Sequence, residues 1–140
     1  MTASKWGVRL LGFSIVTTLA IVAVADVFNA EHLFNPNWPP HARLHNAMQA
    51  TTLTILCIVS FIALMRTPRS RESLAIAALA PISFWPGLLL APLVPGTSLY
   101  ASEELRSLGF PINLVIAVLW LCLTVAAYVL ATRGLPRNGA

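Results

Sequence analysis

Charge is absent from four long stretches of this chain, and polar side chains gather in the segments between them. No charged residue lies between Arg9 and Asp26. From Leu44 to Met65 the ionisable groups are His45 and Cys57 alone, and Ser73 to Ser102 and Ser107 to Thr132 carry no charge. Each stretch approaches or exceeds the roughly 20 residues that a helix needs to cross a bilayer. The apolar residues run continuously and do not alternate with a period of two, which excludes a barrel. The pattern predicts an all-α fold, an integral membrane four-helix bundle with helices near 7–28, 39–65, 73–94 and 110–132.

Composition agrees. Hydrophobic residues make up 57% of the chain and charged residues 10%, with mean hydropathy +0.76. A soluble domain carries roughly 25% charged residues to cover its wetted surface, and this chain cannot do so. Its 140 residues leave room for a single transmembrane domain, 1–140. A rival reading of the first stretch is a cleaved signal peptide, since Lys5 and Arg9 precede an apolar run ending in Ala23-Val24-Ala25. The helical pattern continues past Ala25 without a breaker and three more spans follow, so a retained first helix is expected.

Basic residues set the orientation. Lys5, Arg9, Arg66, Arg69, Arg71, Arg133 and Arg137, seven of the nine, fall on one side; Arg43 and Arg106 fall on the other. The positive-inside rule then places both termini and the middle connection in the cytoplasm, N-in and C-in, in the cell membrane. Asp26, Glu31, Glu103 and Glu104 lie outside and Glu72 inside. The formal charge of +4 is thus a topology signal, and without an aromatic-interleaved basic patch no nucleic-acid partner is expected. Cys57 and Cys122 fall mid-helix and read as inert packing. The connection from Arg66 to Glu72 reads as a tight basic link whose arginines anchor topology or lie against lipid headgroups.

Chemistry concentrates in the first outer segment, Asp26 to Gln49. It holds all three histidines, His32, His41 and His45, together with Asp26, Glu31, Arg43, and Trp38 close to Pro36 and Pro39. Asn35-Pro36 predicts a turn, and Pro39-Pro40 a helix start that Asn37 would cap. On that helix His41, His45, Gln49 and Thr52 fall within about 80° of one another. Such a stripe is costly against lipid and is expected to face the bundle interior or a wet cavity.

Three readings of the stripe stay open. His41 and His45 at i and i+4 suit a shared metal, zinc or iron in preference to copper(I), with His32, Asp26, Glu31, Glu103 or Glu104 as further ligands. A histidine held by a carboxylate over an apolar pocket suits acid–base chemistry. An interhelical hydrogen-bond network suits a structural role. Trp38 alone reads as an interfacial anchor.

The third stretch contains Pro81, Pro86, Gly87 and Pro92. Interior prolines remove backbone hydrogen bonds and survive in a membrane where neighbours satisfy the freed groups. A kinked helix beside a polar stripe predicts a cleft opening outward. In the second outer loop Pro95-Gly96 predicts a turn, and Ser102-Glu103-Glu104 a short interfacial helix. Asn113 is placed to hydrogen-bond across to the first outer segment.

The segment His32-Leu33-Phe34-Asn35-Pro36-Asn37-Trp38-Pro39-Pro40-His41-Ala42-Arg43-Leu44-His45, with Gln49 and Pro95-Gly96-Thr97, resembles a family of small four-helix membrane proteins of bacteria and fungi whose function is unknown. The family pattern has an Asp-Pro-Glu-like step where this chain has Ala101-Ser102-Glu103. The resemblance implies the four-helix fold and picks out the outer motif, and names no reaction.

The leading expectation is a small membrane enzyme or binding protein acting on a lipophilic small molecule. Its catalytic candidates are His41, His45, Asp26, Glu31 and Arg43, with His32, Asn35, Trp38, Gln49 and Asn113 contacting the ligand. The alternative is a non-catalytic scaffold or accessory subunit whose outer loop docks a partner. The bilayer is the expected surrounding in both, and neither fixes an oligomeric state. No G-x-S-x-G, Walker loop, G-x-G-x-x-G or H-E-x-x-H occurs.

Overall fold

The computed structural model describes residues 2–100 and 103–136. Among them are five α-helices and no strand: α1 (Lys5–Val22), α2 (Pro40–Met65), α3 (Arg71–Leu90), α4 (Glu103–Ser107) and α5 (Ile112–Thr132). A π-helical turn, Ala23–Val27, extends α1 past Ala25, and a 3-10 turn, Ala91–Leu93, extends α3. With those extensions, four helices are long and apolar enough to cross a membrane: Lys5–Val27, Pro40–Met65, Arg71–Leu93 and Ile112–Thr132. Each end lies within two residues of the boundary read from the charge gaps. Ser102, Arg137 and the last residues of the tail fall outside the described residues.

The four long helices form a closed ring in the order α1, α5, α3, α2, with a lesser contact between α1 and α3 across the middle. Phe13, Val16, Ile55, Ile58, Phe61, Leu119 and many other large apolar side chains point outward. In water such a surface would drive association, whereas lipid tails suit it.

One end of the bundle, the basic end, carries the connection from Arg66 to Arg71, the start of α1 and the end of α5. Its packing is close. A Cβ on Gly7 would collide with the backbone of Ala131, so α1 and α5 touch there main chain to main chain. Leu11, Ile15, Leu74, Ala77, Ala127 and Ala131 fill the core beside this contact. Two of the three arginines of this connection, Arg69 and Arg71, have specific partners. Arg69 Nε donates to the Leu64 carbonyl at the end of α2 (3.1 Å). Arg71 donates to Thr132 O (3.0 Å), Leu135 O (3.0 Å) and Pro136 O (2.8 Å) beyond α5. These satisfy helix-end carbonyls that have no partner within their own helix, with a positive charge set against the negative end of the dipole. Ser70 and Ser73 form a reciprocal capping box at the start of α3.

The prolines of α3, Pro81 and Pro86, lie within one continuous helix. Beside Pro81, Ser60 of α2 reaches across: its Oγ donates to Ile76 O (3.1 Å) and accepts from Ala80 N (3.2 Å). One hydroxyl thus serves both members of an i, i+4 backbone pair.

A second polar network runs through the middle of α1, α3 and α5. Ser14 Oγ and Thr124 Oγ1 lie 2.6 Å apart, Trp85 Nε1 donates to Thr18 (3.0 Å) and Trp120 Nε1 to Thr17 (2.9 Å). The two indoles lie 6.2 Å apart. These hydroxyls and indoles were not distinguished in the sequence. Cys57 is buried with its thiol 3.8 Å from Ile15 O, while Cys122 is exposed on α5 and takes no part in the core.

Candidate functional site

At the other end, the motif end, the four helices part around a cavity of about 630 Å³. That volume falls within the roughly 300–1,000 Å³ typical of small-molecule sites. Its walls are apolar on most sides: Ile21, Val22, Phe84, Trp85, Leu88 and Ile116. Into it project Asp26, Asn29, His32, Asn46, Gln49, Ser83 and Asn113, and Leu105 of α4 contributes to the lining.

Local structure explains how these side chains converge. Asp26 sits in the π turn, where Phe28 N bonds Ala23 O (2.8 Å), an i→i+5 link. Such turns widen a helix by one residue and recur at functional sites. From there the chain folds through two side-chain-stapled turns. Asn29 Oδ1 accepts from Glu31 N (2.9 Å), and Asn35 Oδ1 accepts from Asn37 N (2.9 Å) while Asn35 Nδ2 donates to Glu31 O (3.1 Å). The Asn35-Pro36 turn is therefore present, and Asn35 organises the loop without entering the cavity. Asn37 does not cap α2; Pro39 occupies the cap position with no side-chain hydrogen bond. Trp38 meets the His32 ring edge-on, 5.6 Å between centroids, and so holds the imidazole.

The inward face of α2 differs from the one expected. Asn46, Gln49, Leu53, Cys57, Ser60 and Leu64 recur every three or four residues and form the face turned to the bundle. His45 precedes Asn46 and is rotated from it by about 100°. His41 and His45 are exposed and pair with each other, Nε2 to Nε2 3.0 Å and centroids 4.5 Å apart. Of the expected site residues, Asp26, His32, Gln49 and Asn113 line the cavity, and His41, His45, Glu31, Arg43, Asn35 and Trp38 do not. Asn29, Asn46 and Ser83 line it without having been singled out. Asn113 donates to Leu99 O (2.9 Å) in the second loop, not to the first outer segment.

That second loop is ordered as its residues dictate. Gly96 has φ +86°, following Pro95 in a turn closed by Thr97 N to Val94 O (3.3 Å), and the Thr97 hydroxyl donates to Ala91 O (3.0 Å). The short helix expected from Glu103-Glu104 is α4, and Arg106 pairs with Glu103 at 3.7 Å on its exposed surface.

Two residues of the lining carry a buried polar atom with no partner among the described residues: Nδ1 of His32 and Oδ1 of Asn46. Buried polar groups are nearly always satisfied, and each exception calls for an explanation such as a bound molecule or water. Asp26 lies close enough to His32 for their charges to interact. A carboxylate beside an imidazole can hold one tautomer and exchange a proton with a bound molecule. Among the described residues no three His, Cys, Asp or Glu side chains are grouped to hold a metal ion, and His41 with His45 supplies at most two ligands.

No family model matches the chain, and neither a curated protein nor a solved structure matches it.

Proposed function

We propose that this protein is a multi-pass membrane protein that binds a lipophilic small molecule in the cavity at its motif end, with Asp26 and His32 positioned to act on it. In this reading the protein lies in the cell membrane with both termini in the cytoplasm and the cavity open to the extracytoplasmic side, as the distribution of arginines and lysines favours. The observation that carries it is an apolar-walled cavity of about 630 Å³ whose lining includes His32 and Asn46, two residues that each hold a buried polar atom, Nδ1 and Oδ1, without a partner among the described residues. A membrane helix has no use for an unsatisfied polar group against lipid; a polar-headed ligand would satisfy both. His41 and His45, exposed outside the cavity, favour the second reading of a partner docked on the motif loop, and they are compatible with a ligand site beside it.

Gly87 supplies the test. It lines the cavity, and a Cβ built there meets no atom within 4 Å. Gly87→Trp should fill the cavity without disturbing helix packing. Lipophilic compounds extracted from wild-type protein purified in mild detergent, or thermal stabilisation by a lipophilic library, should be lost in Gly87→Trp while the variant still folds. Equal capture by both proteins would rule the cavity out as the binding site.

A further inference from the structure

The charge inventory of the cavity restricts what it can accept. Its lining holds one carboxylate, Asp26, one imidazole, His32, and no lysine or arginine. The two cations of this end lie elsewhere: Arg43 is on α2 outside the lining, and Arg106 pairs with Glu103 on the surface of α4. Of the two unpartnered atoms, Asn46 Oδ1 can only accept, and His32 Nδ1 accepts in the tautomer protonated at Nε2. Asn29, Asn46, Gln49 and Asn113 bring amide donors as well as acceptors to the same lining, so it is the lone carboxylate, with no lysine or arginine beside it among the described residues, that sets the sign of the charge the cavity favours. Phe84 lines the same space, and aromatic rings attract cations over their faces.

We propose that the ligand is an amphiphilic amine, its ammonium head set among Asp26, His32 and Asn46 and its apolar body against Ile21, Leu88 and Ile116. This rests on the cavity being a ligand site and adds the sign of the ligand's charge. A primary ammonium carries three N–H donors and no acceptor, which the Asp26 carboxylate and the amide oxygens of Asn46 and Gln49 can meet. Desolvating that cation is costly unless a counter-charge meets it, and Asp26 supplies one. A fatty acid of the same length would bring a second carboxylate beside Asp26 with no arginine or lysine in the lining to neutralise it, an arrangement that discriminates by repulsion. An alcohol can hydrogen-bond to the same amides but brings no charge to meet Asp26.

The experiment uses three probes of equal chain length, dodecylamine, dodecanol and dodecanoate, titrated onto the full chain in phosphatidylcholine nanodiscs. Binding is read from tryptophan fluorescence, with Gly87→Trp nanodiscs as the blank for bilayer partitioning after normalising for the added indole. Dodecylamine should saturate with an affinity at least about tenfold above dodecanol, as expected when a hydrogen-bonded charge replaces a neutral contact, and dodecanoate should not saturate. Asp26→Asn should remove the amine's advantage and leave dodecanol binding in place, which also reports that the variant is folded. Dodecanol or dodecanoate binding as tightly as dodecylamine to the wild type would overturn the assignment of charge while leaving the cavity a ligand site. If none of the three saturates above the blank, the ligand-site reading itself fails, and the amine falls with it.

Discussion

The two ends of the bundle treat polar groups in opposite ways. At the basic end Arg69 and Arg71 cover carbonyls at and just beyond helix ends, Ser70 and Ser73 cap each other's backbone, and Gly7 lets α1 rest on Ala131. At the motif end the helices part, and His32 and Asn46 keep buried polar atoms without partners. Both ends belong to the same four helices and face the same apolar surroundings. On the proposed reading, the difference sets the closely satisfied packing and the ligand site at opposite ends of one fold, in keeping with the general trade between a well-satisfied structure and a working site.

Substitutions can break that contrast in graded steps. The largest effect is expected at the basic end from Gly7→Val, which forces α1 off Ala131 and should cost about 3 kcal/mol, visible as a clear fall in the thermal midpoint in mild detergent. Arg71→Ala should come next. It removes three charge-assisted bonds to carbonyls and should cost about 2 kcal/mol, with Arg71→Lys recovering part of the loss because the charge remains without the fork. At the motif end the sign should reverse. Asn46→Leu removes an unpaired buried acceptor and should raise stability by about 1 kcal/mol while weakening ligand capture; a loss of stability would mean that Asn46 is a structural residue after all. The smallest change is expected for His41→Ala. The exposed histidine pair lies outside the cavity, and its loss should stay within about 0.5 kcal/mol by the same melting assay.

The spans were legible because their signal is a sum over some twenty residues, and no local error in reading one residue moves it far. The turns were legible for a different reason. Pro95-Gly96 and Asn35-Pro36 carry their conformations in their own covalent structure, and Gly96 takes the positive φ that the turn requires. What the sequence concealed is rotation. In a water-soluble helix the polar face points outward and fixes the angle, but here core-facing and lipid-facing positions are both apolar, so Leu53 and Ile55 look alike although one is buried and the other exposed. The polar stripe of His41, His45, Gln49 and Thr52 is expected to face the interior or a wet cavity because polar side chains beside lipid are costly; Gln49 lines the cavity, and His41 and His45 do not. Near the end of α2 the cost is small, since a histidine there can reach the interface. Asn46, one residue further on, takes the inward position. The bonds of Ser14, Thr18, Ser60 and Thr124 were illegible for a related reason: a lone hydroxyl in an apolar run reads as filler until its partner on another helix is known.

The ring order carries a consequence for how the protein is built. The fourth span, α5, is made last, yet it stands between α1 and α3 and supplies partners to both. Until it arrives, Ser14 lacks Thr124, Thr17 lacks the Trp120 indole, and Arg71 lacks the carbonyls it will bind. Three helices alone therefore hold an open seam with polar groups along it, and a seam of that kind invites wrong pairings while synthesis continues. The final helix acts as a keystone: its entry joins the beginning of the chain to its end, and the scaffold around the cavity becomes rigid only then.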